Sequence, residues 1–240
     1  MTVGGVLGDA WGVYILLFRR SIMVAAVVYL AVAALEVTSG TAAAVLAFFA
    51  SLGGPVLVQG ALVLIVRNVH EGVRPAEIVD LARSAGRRFL SLLGASLVYS
   101  LGVVFGLLLL VVPGLLAASR WCLMAAGVIL EDRRTFDALD RSRRIVRGDD
   151  TDQGDKTWPV LGVVIVSYVV TAMIPLALDL AVFGTGTGHA EVVVAALLST
   201  LTAPYAAHVL SVLYYRLTDP SRPTIDPVVR TWPSVWKGPA

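Results

Sequence analysis

The sequence predicts an all-α membrane protein, a polytopic bundle of six transmembrane helices with about three interfacial amphipathic helices. Three observations carry this expectation. First, 57% of the residues are hydrophobic and only 15% are charged, with a mean hydropathy of +0.81. A soluble domain carries about a quarter charged residues, so this chain has too few to cover a surface facing water. Second, apolar runs long enough for a hydrocarbon core of about 30 Å, at about 1.5 Å rise per residue, recur along most of the 240 residues. Third, the Lys and Arg residues of the connections fall in alternate connections, which is how charge sorts in chains that cross a membrane repeatedly.

Taken in order, residues 3–18 place Val3, Val6, Leu7, Ala10, Tyr14 and Leu17 at helical spacing, with Asp9 off that face. This predicts a short helix lying in the interface and ending at Arg19-Arg20. The segment Phe18-Arg19-Arg20-Ser21-Ile22-Met23 has the look of a twin-arginine export signal, but the further spans that follow favour a first membrane helix over 21–39. The second span is expected over 42–66, with a kink or break at Gly53-Gly54-Pro55, because proline removes a backbone donor and crowds the preceding turn. Residues 67–88 are polar. Pro75 suits a helix start, and Ile78, Leu81, Ala85 and Phe89 share one face, so a second interfacial helix is predicted. Residues 90–130 are too long for one span and suit two, over 90–112 and 115–130, with Pro113-Gly114 at the turn.

The stretch 131–157 is polar again and holds six arginines among its acidic residues. Phe136, Leu139 and Val146 give it a weaker amphipathic face. A fifth span over 158–180 contains Pro175, and a sixth over 191–216 contains Pro204. The membrane domain thus occupies 1–217. The tail, 218–240, has five prolines and two tryptophans and is expected to be irregular. Arg19 and Arg20, the 67–88 and 131–157 loops, and Arg216 and Arg222 fall on one side of this scheme, while the connections at 40, 113–114 and 181–190 contain no Lys or Arg. That asymmetry predicts both termini in the cytoplasm. An amphipathic segment precedes a helical hairpin three times, at about 6–20, 75–88 and 135–147, a weak sign of a threefold repeat.

A recognisable stretch is Pro113-Gly114-Leu115-Leu116, Arg120-Trp121, Leu130-Glu131, Ala138-Leu139 and Ser142-Arg143-Arg144-Ile145-Val146-Arg147-Gly148, together with Pro55, Gln59 and Gly60. It resembles a bacterial and archaeal family of membrane proteins related to the membrane domain attached to some glycerophosphodiester phosphodiesterases. The resemblance spans about 50–217. It implies a six-helix domain in a prokaryotic plasma membrane, without phosphodiester chemistry, because in the fused enzymes that chemistry belongs to a separate soluble barrel.

Arg120 is the one Arg or Lys in the interior of an expected span, Arg216 standing at the very end of the sixth. It lies eleven residues before Glu131, about 16 Å along a helix, which places it near mid-membrane. An arginine there costs about 2.5–3.5 kcal/mol on insertion scales and calls for a partner. Three readings stand: a pocket for an anionic head group, an internal ion pair that fixes packing, or a side chain that snorkels to the surface. Glu36 and Asp179 are the acids within spans. Gln59 and His208 complete the expected polar cluster, with Tyr99, Tyr168 and Tyr205 as hydroxyl donors. Pro55, Pro113, Pro175 and Pro204 are expected helix breaks. Gly102-Val103-Val104-Phe105-Gly106 permits close helix packing, within the chain rather than between chains.

The single cysteine, Cys122, cannot form an internal disulfide. No metal-ligand spacing occurs, and Asp149-Asp150-Thr151-Asp152 lacks the spacing of a calcium loop. No metal, cofactor or nucleic acid is expected. The expected partners are membrane lipids and, through the cytoplasmic loops, a protein. The function expected is a non-enzymatic module that organises lipid or a partner, with a transporter of an amphipathic anion as the alternative. An intramembrane enzyme would require His208 within hydrogen-bond reach of a serine or carboxylate in a pocket.

Overall fold

The computed structural model describes residues 2–38, 40–73, 78–149, 154–183 and 188–221, and of Ile78, Val79, Ala82, Asp179, Val182 and Phe183 the backbone alone. Most of the expected tail and the Asp150–Asp152 stretch therefore lie outside the described residues. The described chain is helical throughout. In order it forms α1 (Val3–Leu16), α2 (Phe18–Val37), α3 (Thr41–Glu71), α4 (Ile78–Arg87), α5 (Phe89–Leu109), α6 (Val111–Trp121), α7 (Met124–Leu130), α8 (Thr135–Arg147), α9 (Thr157–Tyr168), a π-helical turn (Val169–Met173), α10 (Ile174–Phe183) and α11 (His189–Thr218). Six segments are long and apolar enough to cross a membrane: Phe18–Val37, Thr41–Glu71, Phe89–Leu109, Val111–Leu130, Thr157–Leu178 and His189–Thr218. These match the six spans predicted, so the chain is a multi-pass membrane protein.

The prolines do not all do what the sequence suggests. Pro55 lies inside an unbroken α3 and Pro204 inside an unbroken α11. Neither is a break, because a membrane helix tolerates proline where neighbours fill in around the lost bond. Gly53 and Gly54 supply that fit. A Cβ on Gly53 would stand 2.9 Å from the Phe89 ring, and one on Gly54 would stand 2.9 Å from Val28 Cγ1. Pro113 is not the turn either. The chain turns at Leu110, which is extended (φ −161, ψ 142), and Pro113 occupies the first turn of α6, where a missing N–H leaves no bond unmade. Gly114 serves packing instead. A Cβ on Gly106 would lie 2.7 Å from Gly114 Cα, so α5 and α6 touch backbone to backbone. The Gly102/Gly106 pair thus works within the hairpin, with Gly102 against the Trp121 ring. Pro175 alone accompanies an irregularity. The π turn just before it inserts an extra residue and eases the clash of the proline ring with the preceding turn.

The clearest break has no proline. Between α6 and α7 the helix is interrupted at Cys122-Leu123, and Ser142 of α8 satisfies the freed backbone. Its hydroxyl donates to the Arg120 carbonyl at 2.8 Å and accepts from the Leu123 N–H at 3.1 Å. The α7 helix beyond the break is buried from Met124 to Ile129.

Burial is uneven along the bundle. On the side that carries the basic loops, α3 from Val58 to Val66, α7, and α11 from Ala207 to Tyr214 form a packed core. On the other side Val45, Leu46, Phe48, Phe49, Leu52 and the run Leu107–Val112 are exposed, as lipid-facing positions must be. Three short helices, α1, α4 and α8, each lead into a hairpin; α4 and α8 are amphipathic as predicted, whereas α1 is apolar on its outer face too, with Trp11 and Ile15 exposed. Each packs on the hairpin before it in cyclic order: α1 on α11, α4 on α3, and α8 on α6 and α7. The predicted inward faces hold, with Val6, Ala10, Tyr14 and Leu17 buried on the first, Leu81 and Ala85 on the second, and Leu139 and Val146 on the third. Phe136 is instead exposed, because the buried face of α8 runs through Ala138, Leu139, Ser142, Ile145 and Val146.

Ser142→Ala strips both backbone groups at the break of their partner, so it is expected to destabilise the protein by about 1–3 kcal/mol, read as a lower midpoint of thermal unfolding in detergent against wild type.

Candidate functional site

Two polar regions emerge from this packing. The first ties the basic side together. Glu131, at the end of α7, accepts from Arg141 Nε at 2.9 Å on both oxygens, from Arg133 Nε at 2.7 Å and from the Tyr214 hydroxyl at 2.7 Å. Burial is the largest single influence on its carboxyl and pushes the pKa up, but the three hydrogen bonds and the charge of Arg141 together outweigh it and hold the pKa below the usual range. Arg88 donates to the Ile129 carbonyl and to Asp132, both at 2.6 Å, closing the end of α7. Asp9 of α1 pairs with Arg216 of α11, and His70 stacks on Tyr215 with ring centroids 3.8 Å apart. These contacts join elements that are distant in sequence. They form an architectural clamp, since every carboxylate in it is already engaged.

The second region is a groove on the opposite half, between α2, α3, α11 and the π turn. A cavity of about 450 Å³ is lined by Tyr29, Gln59, Tyr168, Thr171, Ser199 and Thr202 among apolar neighbours that include Pro55, Ala203 and Ala206. A smaller cavity of about 180 Å³ shares Tyr29, Pro55 and Ser199 with it and adds Ser51 and Glu36. The two are neighbours on either side of the shared residues and are lined by residues from Gln59 to Glu36 near the far end of α2. Helical spacing builds each wall: Tyr29, Val32, Ala33 and Glu36 on α2, Ser51, Pro55 and Gln59 on α3, and Ser199, Thr202, Ala203 and Ala206 on α11. The small residues of α11 keep that wall thin enough to leave space. Tyr29, Gln59, Ser199 and Thr202 are partly exposed, so the groove opens to the side of the bundle.

Proline contributes to the polarity of this groove. Pro175 has no N–H to give the Thr171 carbonyl four residues earlier. The Thr202 hydroxyl lies 3.5 Å from that carbonyl but 2.9 Å from the Leu198 carbonyl of its own helix. It has one proton, and the shorter bond takes it. Thr171 and Thr202 both line the cavity, so their contact stands at its wall.

The expected polar cluster is not assembled in one place. Gln59 lines the larger cavity and Glu36 the smaller one. Arg120 lines neither. Its charge instead acts on Asp155, whose carboxyl is held below the usual range by Thr157, which donates its backbone N–H at 2.7 Å, with Arg120 and Arg147 as lesser causes. Arg120 therefore sits on the basic side. The break at Cys122-Leu123 is the reason, because eleven residues along an interrupted helix do not measure depth. Asp179 lies in α10, but its side chain is outside the described residues. His208 is fully buried, and its Nε2 is 2.8 Å from the Ser21 hydroxyl. Ser21 is likewise at zero exposure. This is the contact an intramembrane hydrolase would need, but neither residue lines the cavities. The pair joins α2 to α11, beside Tyr14, whose hydroxyl donates to the Leu201 carbonyl at 2.9 Å.

Sequence reasoning named Gln59, Glu36 and Tyr168 but missed Tyr29, Ser199, Thr171 and Thr202. The stripe of Ser199, Thr202, Ala203 and Ala206, small residues at helical spacing, was the available signal. Neither the family models, nor the curated proteins, nor the solved structures contain a match to this chain.

The depressed carboxyl of Glu131 makes stability depend on pH. Its folded pKa is below the unfolded value of 4.5, so its contribution is present above that value and is lost as pH falls through the folded pKa. The gap in unfolding midpoint between wild type and Glu131→Gln is therefore expected to be widest near neutral pH and to narrow in acid, as followed by thermal unfolding across an acid series.

Proposed function

We propose that this chain is a non-enzymatic membrane module that holds a lipid or another amphipathic molecule in the groove between α2, α3 and α11. The observation that carries this reading is the cavity of about 450 Å³ at membrane depth, apolar in most of its lining but holding Gln59, Tyr168, Thr171 and Thr202. Its volume lies within the range of small-molecule sites, roughly 300–1,000 Å³, and so does its mixture of an apolar wall with a few polar groups. In hydrocarbon, hydroxyls and an amide facing an open groove gain from a ligand that hydrogen-bonds to them.

Transport of an amphipathic solute is the second reading. The π turn beside Pro175 favours it, since an irregular helix at a cavity wall can rearrange. The anionic form of that reading loses its main support, because Arg120 lies outside the cavity lining. The exposed Arg134, Arg143 and Arg147 of the basic side suit anionic head groups or an acidic partner protein.

Native mass spectrometry of the protein in mild detergent tests the groove. Wild type and Arg120→Leu are expected to retain a stoichiometric lipid. Ala206→Trp, which fills the cavity, is expected to lose it while unfolding at a similar temperature. An equal adduct on all three, or none on wild type, would reject the reading.

We further propose that the basic side faces the cytoplasm of a prokaryotic cell, with both termini there. In a Cys122→Ala background, a membrane-impermeant maleimide is expected to label Thr41→Cys in intact cells and Arg143→Cys only after lysis. The reverse pattern would invert the topology.

A further inference from the structure

We propose that the groove selects an amphipathic cation, an amine or quaternary ammonium head on an apolar tail, with Glu36 receiving the head. The inference rests on the reading of the groove as a binding site and adds the charge of what it binds.

The shape of the site comes first. The two cavities share Tyr29, Pro55 and Ser199 and lie next to each other. The inner part offers neutral hydrogen-bonding groups in an apolar wall, which suits a tail with at most uncharged polar groups. Glu36 is the one charged residue in the lining of either cavity, and it stands one residue before the end of α2. It forms no ion pair or hydrogen bond among the described residues. A carboxylate at the rim of a low-dielectric groove, without a cation from its own chain, attracts a cation from outside.

Sequence sets the sign of the field around it. Residues 21–66, 89–119 and 158–215 contain no Lys or Arg, and their acids are Glu36, Asp179 and Glu191 alone. Glu191 opens α11 one residue before Val192, which lines the smaller cavity. Apart from His189, which opens α11, an anionic head at this mouth would meet like charge, and the arginines that could compensate lie on the other side of the bundle. Tyr29, common to both linings, adds an aromatic ring of the kind that accommodates ammonium groups.

Radiolabelled dodecyltrimethylammonium and dodecyl sulfate, with the same tail and opposite heads, test this on the full chain in phosphatidylcholine nanodiscs, with binding to empty nanodiscs subtracted. Wild type is expected to bind the ammonium probe saturably and the sulfate probe not at all. Glu36→Gln is expected to weaken ammonium binding about fivefold, the size of a solvent-screened charge pair, and Ala206→Trp to abolish it. Equal saturable binding of both probes by wild type, lost in Ala206→Trp and unchanged in Glu36→Gln, would overturn the charge selectivity and leave the groove intact as a site. Saturable binding of neither probe would overturn both. Unfolding temperatures of the two variants within a few degrees of wild type separate loss of the site from loss of the fold.

Discussion

Hydrocarbon offers no hydrogen bonds, so every backbone group inside a membrane must find its partner in the protein. That constraint governs where this chain can depart from a regular helix. The α6–α7 interruption is possible because Ser142 gives one oxygen to two backbone groups, the Arg120 carbonyl and the Leu123 N–H. Without that side chain, two polar groups would be buried unpaired, and the α7 segment could not turn into the core between α3, α5 and α8. Pro55 and Pro204 are absorbed within helices that stay regular, and Pro175 is absorbed by a π turn. Thr171, four residues before Pro175, lines a cavity.

The same constraint explains the asymmetry of the molecule. Short helices can add a layer only on the side that meets head groups and water, and each does so by packing on the hairpin before it. That side therefore gains a core, held by Glu131 with Arg133, Arg141 and Tyr214 and by the Asp9–Arg216 pair. The far side has no such layer. There the helices meet lipid directly, and the small side chains of α11 at Ala203 and Ala206 leave room between α2 and α3. The groove is what remains where a third layer is missing. Its polarity comes from hydroxyls and the Gln59 amide, and its charge comes from Glu36 at the rim.

Much of the fold was legible because long-range apolar patterning needs no knowledge of partners. Val6, Ala10, Tyr14 and Leu17 repeat at helical spacing, and the structure buries that face. Leu81 and Ala85 behave alike. The site was less legible. Arg120 looked deep because depth was counted along a helix assumed continuous, and no residue type announces the break at Cys122-Leu123. The prolines misled in the opposite sense, because whether a proline breaks a helix depends on neighbours such as Phe89 and Val28 that fit against Gly53 and Gly54. Ser21 and His208 are separated by 187 residues, and nothing local to either marks them as a pair.

By itself, then, the sequence determined the class, the number of spans, their approximate limits and the side on which positive charge gathers. Each follows from the free energy of moving side chains between water and hydrocarbon, a property of residues one at a time or in short windows. The tertiary structure alone decided which polar residues meet. It kept Arg120 out of the cavity that Glu36 lines, sealed His208 against Ser21, and brought Gln59, Tyr29 and Thr202 around one space. Those outcomes depend on the order of helices around the bundle and on the rotation of each about its axis, and neither is encoded in the position of a span along the chain.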